Sequence, residues 1–152
     1  MDLVSQLDYF NKSVSAKDVT GYYLLERGDF AYNKSYSQVY LMGAVKPLKR
    51  YSKGVVSTLY ICFKVHENYK TDFLEYYFES GIHNLEIEQY AQEGAKNHGL
   101  LNIGIKDFFD GTNLVLPGRE DQRKIANTLS SIDDIIENQT KKINALKTYK
   151  KA

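Results

Sequence analysis

The sequence has only one cysteine, only two prolines and no long apolar run. The single cysteine, Cys62, cannot form an internal disulfide, and its place in the apolar run 55–63 favours a core position over a reactive one. Two prolines among 43% hydrophobic and 26% charged residues exclude a disordered, proline-rich chain. Because no stretch reaches the roughly 20 apolar residues that span a bilayer, and residues 1–3 do not begin a signal peptide, we expect no membrane partner and a cytoplasmic location.

Residue patterns that carry catalysis are missing as well. The three histidines, His66, His83 and His98, lie far apart and have no cysteine cluster near them, so the sequence predicts no zinc site. No glycine-rich phosphate loop precedes a helix, and no cofactor-binding or methyltransferase motif is recognisable. We therefore expect a protein that is not an enzyme and that holds neither a cofactor nor a metal ion.

Acidic residues are absent between Asp29 and Glu67, although the net charge of the chain is only +1. The cations in that segment are Lys34, Lys46, Lys49, Arg50, Lys53 and Lys64. The following segment, up to Glu93, is acidic and contains Lys70 as its single cation. This distribution predicts one face that attracts a polyanion and another face that repels it.

The part of the chain before residue 117 has the mixed signals of an α+β domain. Runs rich in β-branched and aromatic residues predict strands at 30–32, 39–42 and 55–65. Helical spacing begins at TDFLEYYFE, residues 71–79, with Thr71 or Asp72 as the cap and Gly81 as the stop. Three short segments are expected to be a strand, a turn or short helix, and a strand, at 100–103, 107–109 and 114–116.

One long helix is predicted after Pro117 and Gly118, because residues 119–152 contain neither glycine nor proline. Glu120 and Asp121 lie at its start, where the helix dipole favours negative charge. A heptad seam runs along it, made of Ile125, Leu129, Ile132, Ile136, Gln139, Ile143 and Leu146. Since an apolar stripe left in water promotes aggregation, we expect a second helix to cover this seam.

The start of this helix also carries a recognisable motif. Its residues are Leu116 and Pro117, then Glu120, Gln122, Ile125 and Ala126, then Leu129, Ser130, Ile132 and Asp133. The motif resembles the signature of type I restriction-modification specificity subunits, where a strand ends in Leu-Pro and the next helix contains Glu-x-Gln-x-x-Ile-Ala and Leu-Ser-x-Ile-Asp. The segments 28–37, 54–60 and 94–104 resemble landmarks of the target recognition domains of that family.

The resemblance implies a protein that directs chemistry performed by its partners. A specificity subunit of this family has two target recognition domains, each of which reads half of a bipartite DNA site, and antiparallel helices that separate them. Methyltransferase subunits dock on those helices, and restriction subunits join the complex. This chain resembles half of such a protein, with a recognition domain at 1–116 and a spacer helix at 117–152.

Two features of the chain depart from the family pattern: it has one recognition domain and one spacer helix instead of two of each, and its recognition domain begins late. A homodimer through the helix, or pairing with another half-specificity chain, would restore two domains on a two-fold axis and favour a palindromic bipartite site. The landmark at Gly28 comes early, so the recognition domain is expected to be short at its beginning. The alternative is therefore a truncated assembly fragment that docks partners through its helix without reading DNA.

Contacts with double-stranded DNA are predicted in three segments that combine cations for phosphate with side chains able to pair with base edges. These residues are Asn33, Lys34, Ser35, Tyr36 and Ser37, then Lys46, Lys49, Arg50 and Lys53, and finally Lys96, Asn97 and His98. The alternatives are a hydrogen-bonded turn for the first segment and a solvated loop for the second. Gly94 and Gly99 flank the third segment and would let its backbone approach a ligand closely.

Overall fold

The computed structural model describes residues 3–9, 18–35, 37–91 and 101–150. Within them the chain forms two compact units, Met1–Val115 (unit 1) and Leu116–Ala152 (unit 2). The described elements are α1 (Gln6–Tyr9), β1 (Tyr23–Glu26), β2 (Phe30–Asn33), β3 (Ala44–Pro47), β4 (Lys53–Val56), β5 (Tyr60–Phe63), α2 (Thr71–Glu79), α3 (Asn84–Tyr90), α4 (Ile105–Gly111) and α5 (Arg119–Tyr149). The predicted α+β class with a long C-terminal helix is confirmed. None of these helices combines the length and the apolar character that crossing a membrane requires.

The strands form two antiparallel sheets. In the smaller sheet β1 pairs with β4, and the register places Glu26 opposite Lys53. In the larger sheet β2 lies between β3 and β5, so that Phe30 is opposite both Pro47 and Phe63. Because a pair of strands is only marginally stable by itself in water, β1 and β4 depend on packing against the rest of unit 1.

Both faces of β2 are buried, as expected for its unbroken apolar run. Phe30 and Tyr32 point to one face, where their rings stack on Phe63 and Phe108 with centroid distances of 5.4 and 4.8 Å. Ala31 points to the opposite face and clusters there with Leu25 of β1 and with Leu48. The core of unit 1 therefore lies on both sides of this central strand. Cys62 is partly buried and packs against the cluster of Leu25, Ala31 and Leu48.

The predicted helix at 71–79 is confirmed as α2, and it buries one apolar side. Phe78 packs on Phe30 and Phe63 of the larger sheet, with ring centroids 5.9 and 6.2 Å away. The expected side-chain cap was wrong, because the helix begins at Thr71 itself and its N-cap residue, Lys70, forms no capping side-chain bond. Two carboxylates of α2, those of Glu75 and Glu79, pair with lysines, as described below.

The strand predicted at 39–42 is wrong, because these residues form turns. The backbone N–H groups of Ser37 and Gly43 both donate to the carbonyl of Tyr40, at 2.9 and 3.2 Å. The hydroxyl of Tyr32 donates to the carbonyl of Met42 at 2.8 Å and fixes the turn on the core. These local bonds replace the ladder bonds that a strand would need.

The single strand predicted at 55–65 is two strands. Its halves belong to different sheets, since β4 pairs with β1 and β5 pairs with β2. A turn separates them, closed by the N–H of Tyr60 on the carbonyl of Ser57 at 3.1 Å. Two of the three short segments differ from prediction: the run 114–116 is not a strand, and the described part of the run 100–103 contributes only a bridge at Asn102. The segment 107–109, predicted as a turn or short helix, lies in α4. Helix α3 was not predicted.

Candidate nucleic-acid interface

The first predicted DNA-contact segment begins at the end of β2. The side-chain oxygen of Asn33 accepts the N–H of Ser35 at 3.0 Å, and the hydroxyl oxygen of Ser37 accepts the N–H of Tyr40 at 3.1 Å. These bonds are those of local turns, the alternative expected for this segment. Lys34 is half-buried and its carbonyl accepts the N–H of Leu101 at 2.9 Å. Tyr36 lies outside the described residues.

Lys46 lies on β3 with its side chain only 10% exposed, and its ammonium group binds Glu79 of α2. The hydroxyl of Tyr40 donates to the other oxygen of Glu79 at 2.8 Å. Burial lowers the pKa of Lys46, but the hydrogen bond and charge of Glu79 outweigh it and hold the pKa above its usual value. Burial likewise raises the pKa of Glu79, whereas bonds from Lys46 and Tyr40 bring it below its usual value. Lys46 is thus held as half of an ion pair, which counts against a phosphate contact.

Two more lysines of the second predicted segment are paired. The ammonium of Lys49 lies 2.7 Å from Glu75 and 4.0 Å from Asp72, and that of Lys53 lies 3.3 Å from Glu26. Packing of α2 against β3 therefore brings acidic residues of the second charge segment onto cations of the first. The two segments do not form separate faces, contrary to what their distribution along the sequence predicted.

Arg50 differs from the three lysines near it. Its side chain is exposed, and no carboxylate in the described ranges lies within ion-pair distance of it. It is therefore the member of this segment whose charge is available to an anion. The third predicted segment, with Lys96, Asn97 and His98, lies outside the described residues.

The predicted heptad seam lies on α5. Five of its apolar residues are 41–67% exposed within this chain, namely Ile125, Ile132, Ile136, Ile143 and Leu146. Leu129 is half-buried and Gln139 is exposed. Ile135, which is 60% exposed, flanks the seam and was not predicted. Its position could have been found from the sequence, because successive residues of a helix are about 100° apart and Ile135 directly precedes Ile136. An apolar strip about three heptads long, from Ile125 to Leu146, is thus exposed within the described part of the chain.

The described start of α5 is held by local bonds that fit its polar residues. The side-chain amide of Gln122 is buried and donates to the carbonyl of Pro117 at 2.9 Å. Arg123 pairs with Glu120 at 2.6 Å, and Lys141 pairs with Glu137 at 2.7 Å farther along. Such exposed pairs within one helix stabilise it only weakly, so they support α5 without covering its seam.

Two concavities, of about 190 and 300 Å³, reach at most the lower limit of the pockets that usually hold small ligands. No group of three or more histidine, cysteine, aspartate or glutamate side chains in the described ranges is arranged to hold a metal ion.

Comparison of the chain with models of protein families found no match, and comparisons with curated proteins and with solved structures found none either. The family resemblance in the sequence therefore stays a prediction.

Proposed function

We propose that this chain is the specificity half-subunit of a type I restriction-modification complex. Unit 1 reads one half of a bipartite site in duplex DNA, and α5 pairs with a second helix of the same kind. Methyltransferase subunits dock on the paired helices, restriction subunits join them, and those partners perform methylation and cleavage. In this proposal the chain works in the cytoplasm, holds no cofactor and catalyses no reaction.

The observation that carries the proposal is the exposed heptad seam of α5. Isoleucine and leucine at positions such as Ile132 and Leu146, 46% and 67% exposed, favour burial against a partner helix. Pairing about a two-fold axis would set two copies of unit 1 at a fixed separation. DNA reading is supported by the motif at 116–133, which resembles that of specificity subunits, and by the exposed, unpaired Arg50.

The pairing is tested with Ile132→Asp, which places a charge in the middle of the seam. A matched control is Asn127→Asp, which adds the same charge about 140° away around the helix, on the side opposite the seam. Sedimentation should give a dimer for the wild type and for Asn127→Asp, and a monomer for Ile132→Asp. A monomeric wild type, or a dimer that survives Ile132→Asp, would refute pairing through this seam.

DNA reading is tested by selecting bound duplexes from a randomised pool with the purified full chain. Enrichment of one two-part sequence, with inverted symmetry for a homodimer, is the expected result. Equal retention of all duplexes at moderate salt would contradict sequence reading, because phosphate contacts alone do not distinguish sequences.

A second candidate, an assembly fragment that does not read DNA, is favoured by the pairing of Lys46, Lys49 and Lys53 with carboxylates. Their charges are compensated within unit 1, which weakens the attraction for phosphate. The two candidates differ in a binding assay with and without the methyltransferase subunit. Retention of a labelled duplex only when the methyltransferase is present would favour the assembly fragment.

A further inference from the structure

Both arginines of unit 1, Arg27 and Arg50, are exposed and have no described carboxylate within ion-pair distance. The lysines around them behave differently, since Lys49, Lys53 and Lys64 all contact acidic side chains. Arginine is usually the better ion-pair former, because its planar guanidinium matches a carboxylate or a phosphate with two parallel bonds. The pattern leaves the two side chains best suited to phosphate without a carboxylate partner in the described part of the chain.

Arg27 lies at the tip of a rigid turn. The N–H of Asp29 donates to the carbonyl of Glu26 at 2.9 Å, and the carboxylate of Asp29 accepts the N–H of Glu26 at 2.8 Å. Gly28, the next residue of the turn, has a φ of +95°, which suits the third position of a type II turn. Arg27 therefore extends from a turn that two hydrogen bonds between Glu26 and Asp29 close before any ligand binds.

The segment that carries Arg50 is bonded to the same turn. The N–H of Gly28 donates to the carbonyl of Leu48 at 2.9 Å, and the N–H of Arg27 donates to the carbonyl of Ser52 at 3.0 Å. Residues 49–51 thus form a short excursion between two points anchored on the turn. The segment that carries Arg50 is therefore attached at both ends to the turn that carries Arg27, although 23 positions separate the two arginines in the sequence.

Neighbouring carboxylates contact lysines and not these two arginines. Glu26 lies 3.3 Å from Lys53 and from Lys64, and Asp29 lies 3.8 Å from Lys64. Lys49 contacts Glu75 at 2.7 Å and Asp72 at 4.0 Å, beside a concavity that Arg27 and Lys49 help to line. These four carboxylates share three lysines, so the cluster together with the two arginines has a net charge of about +1, and the guanidinium groups are its cations without a carboxylate partner among the described residues.

We propose that Arg27 and Arg50 bind neighbouring phosphates of duplex DNA and position the recognition domain on the backbone. This inference rests on the proposed DNA-reading function and assigns one part of it, the phosphate contacts that fix register. Arg27 was missed in the sequence because it lies just outside the segment free of acidic residues, beside Glu26 and Asp29. The signal that identifies it is the absence of an ion pair.

The test measures binding of a fluorescein-labelled duplex of mixed sequence by the full chain over a range of salt concentrations. The variants are Arg27→Ala, Arg50→Ala and the double variant, with Lys53→Ala as the control that removes one paired cation beside them. Each arginine variant should reduce the slope of log K against log salt by about 1 and weaken binding roughly tenfold near 0.1 M salt, and the double variant should lose about 2. Lys53→Ala should change the slope by clearly less.

Folding and charge are separated by two further measurements. Thermal melting of each variant should match the wild type, because both side chains are exposed. Arg27→Lys should keep the salt slope, since the charge remains. It should bind DNA more weakly, because a lysine cannot form the two parallel hydrogen bonds that a guanidinium makes to a phosphate.

The possible outcomes distinguish this inference from the function on which it rests. A double variant with the wild-type slope and affinity would overturn the arginine contacts and leave DNA reading intact. A reduced slope in a protein that enriches no sequence from the randomised pool would support the contacts and overturn sequence reading. A wild type that binds no duplex would overturn both.

Discussion

Lys46 and Arg50 belong to one cationic stretch, and their surroundings give them different roles. Lys46 points into unit 1 and meets Glu79, which is 33 positions away in the sequence. Arg50 lies on an excursion of the backbone and meets no described carboxylate. Composition could identify the stretch as cationic, but only packing between distant segments decides which charges remain available for a ligand.

His83 provides a prediction about pH. Its side chain is 2% exposed, both ring nitrogens lack a hydrogen-bond partner in the described chain, and its ring meets that of Phe78 edge to face at 5.0 Å. Burial lowers the pKa of His83 from 6.5 to about 4, so the unfolded state binds the proton more readily. The free energy of unfolding should therefore be fully retained above pH 6.5 and fall by about 3 kcal/mol as pH decreases to 4.

Urea denaturation at several pH values checks this against His83→Leu, which keeps an apolar side chain of similar size in the site. The variant should lose less stability than the wild type between pH 6.5 and 4, because its site no longer takes up a proton in the unfolded state. His66→Leu is the matched control, since it makes the same substitution at an exposed histidine. Parallel curves for the wild type and His83→Leu would argue against a buried neutral imidazole.

The helices and strands divide into those that local pattern specifies and those that depend on distant partners. Helices α2 and α5 follow from their own periodicity, and both begin and end close to the predicted residues. The run 55–65 is uniformly β-prone, yet its halves pair with β1 and with β2, which no local pattern encodes. Likewise the apolar run 39–42 becomes turns because Met42 accepts the hydroxyl of Tyr32 from a strand ten residues earlier.

The turn that replaces the predicted strand depends on Gly43. Its φ is +74°, and a Cβ added there would lie 2.4 Å from the carbonyl oxygen of Asn33 and 2.7 Å from the ring of Tyr32. Gly43→Ala should therefore lower the free energy of unfolding by about 2 kcal/mol or more, through backbone strain and a clash with the central strand. Gly21→Ala is the control, since nothing lies within 4 Å of a Cβ at that position. Equal melting temperatures for the two variants would contradict the tight turn.

For the whole molecule, the proposed function requires a fixed distance between two copies of unit 1. That distance would come from the 31-residue helix α5, whose seam leads from Ile125 to Leu146. The sequence could predict this helix and its seam because heptad spacing is local information. It could not predict that the turn with Arg27 and the segment with Arg50 are hydrogen-bonded to each other, because those backbone bonds join residues at least 20 positions apart.

Lengthening the helix tests the distance directly. Duplicating residues 130–136 adds one heptad, preserves the seam and extends each helix by about 10 Å. If two helices pair antiparallel, the copies of unit 1 move apart, and the spacer of the selected bipartite site should grow by up to about three base pairs at 3.4 Å each. Selection from a randomised duplex pool measures that spacer.

An insertion of five alanines at the same place is the matched control. It adds about 7.5 Å but turns the second part of the seam by about 140°, so it should abolish pairing and with it the two-part site. An unchanged spacer after the heptad duplication would mean that the helices pair in parallel, because parallel helices lengthen without separating the globules at their starts. The direction of pairing is therefore read from the DNA, since only the antiparallel arrangement converts helix length into distance between half-sites.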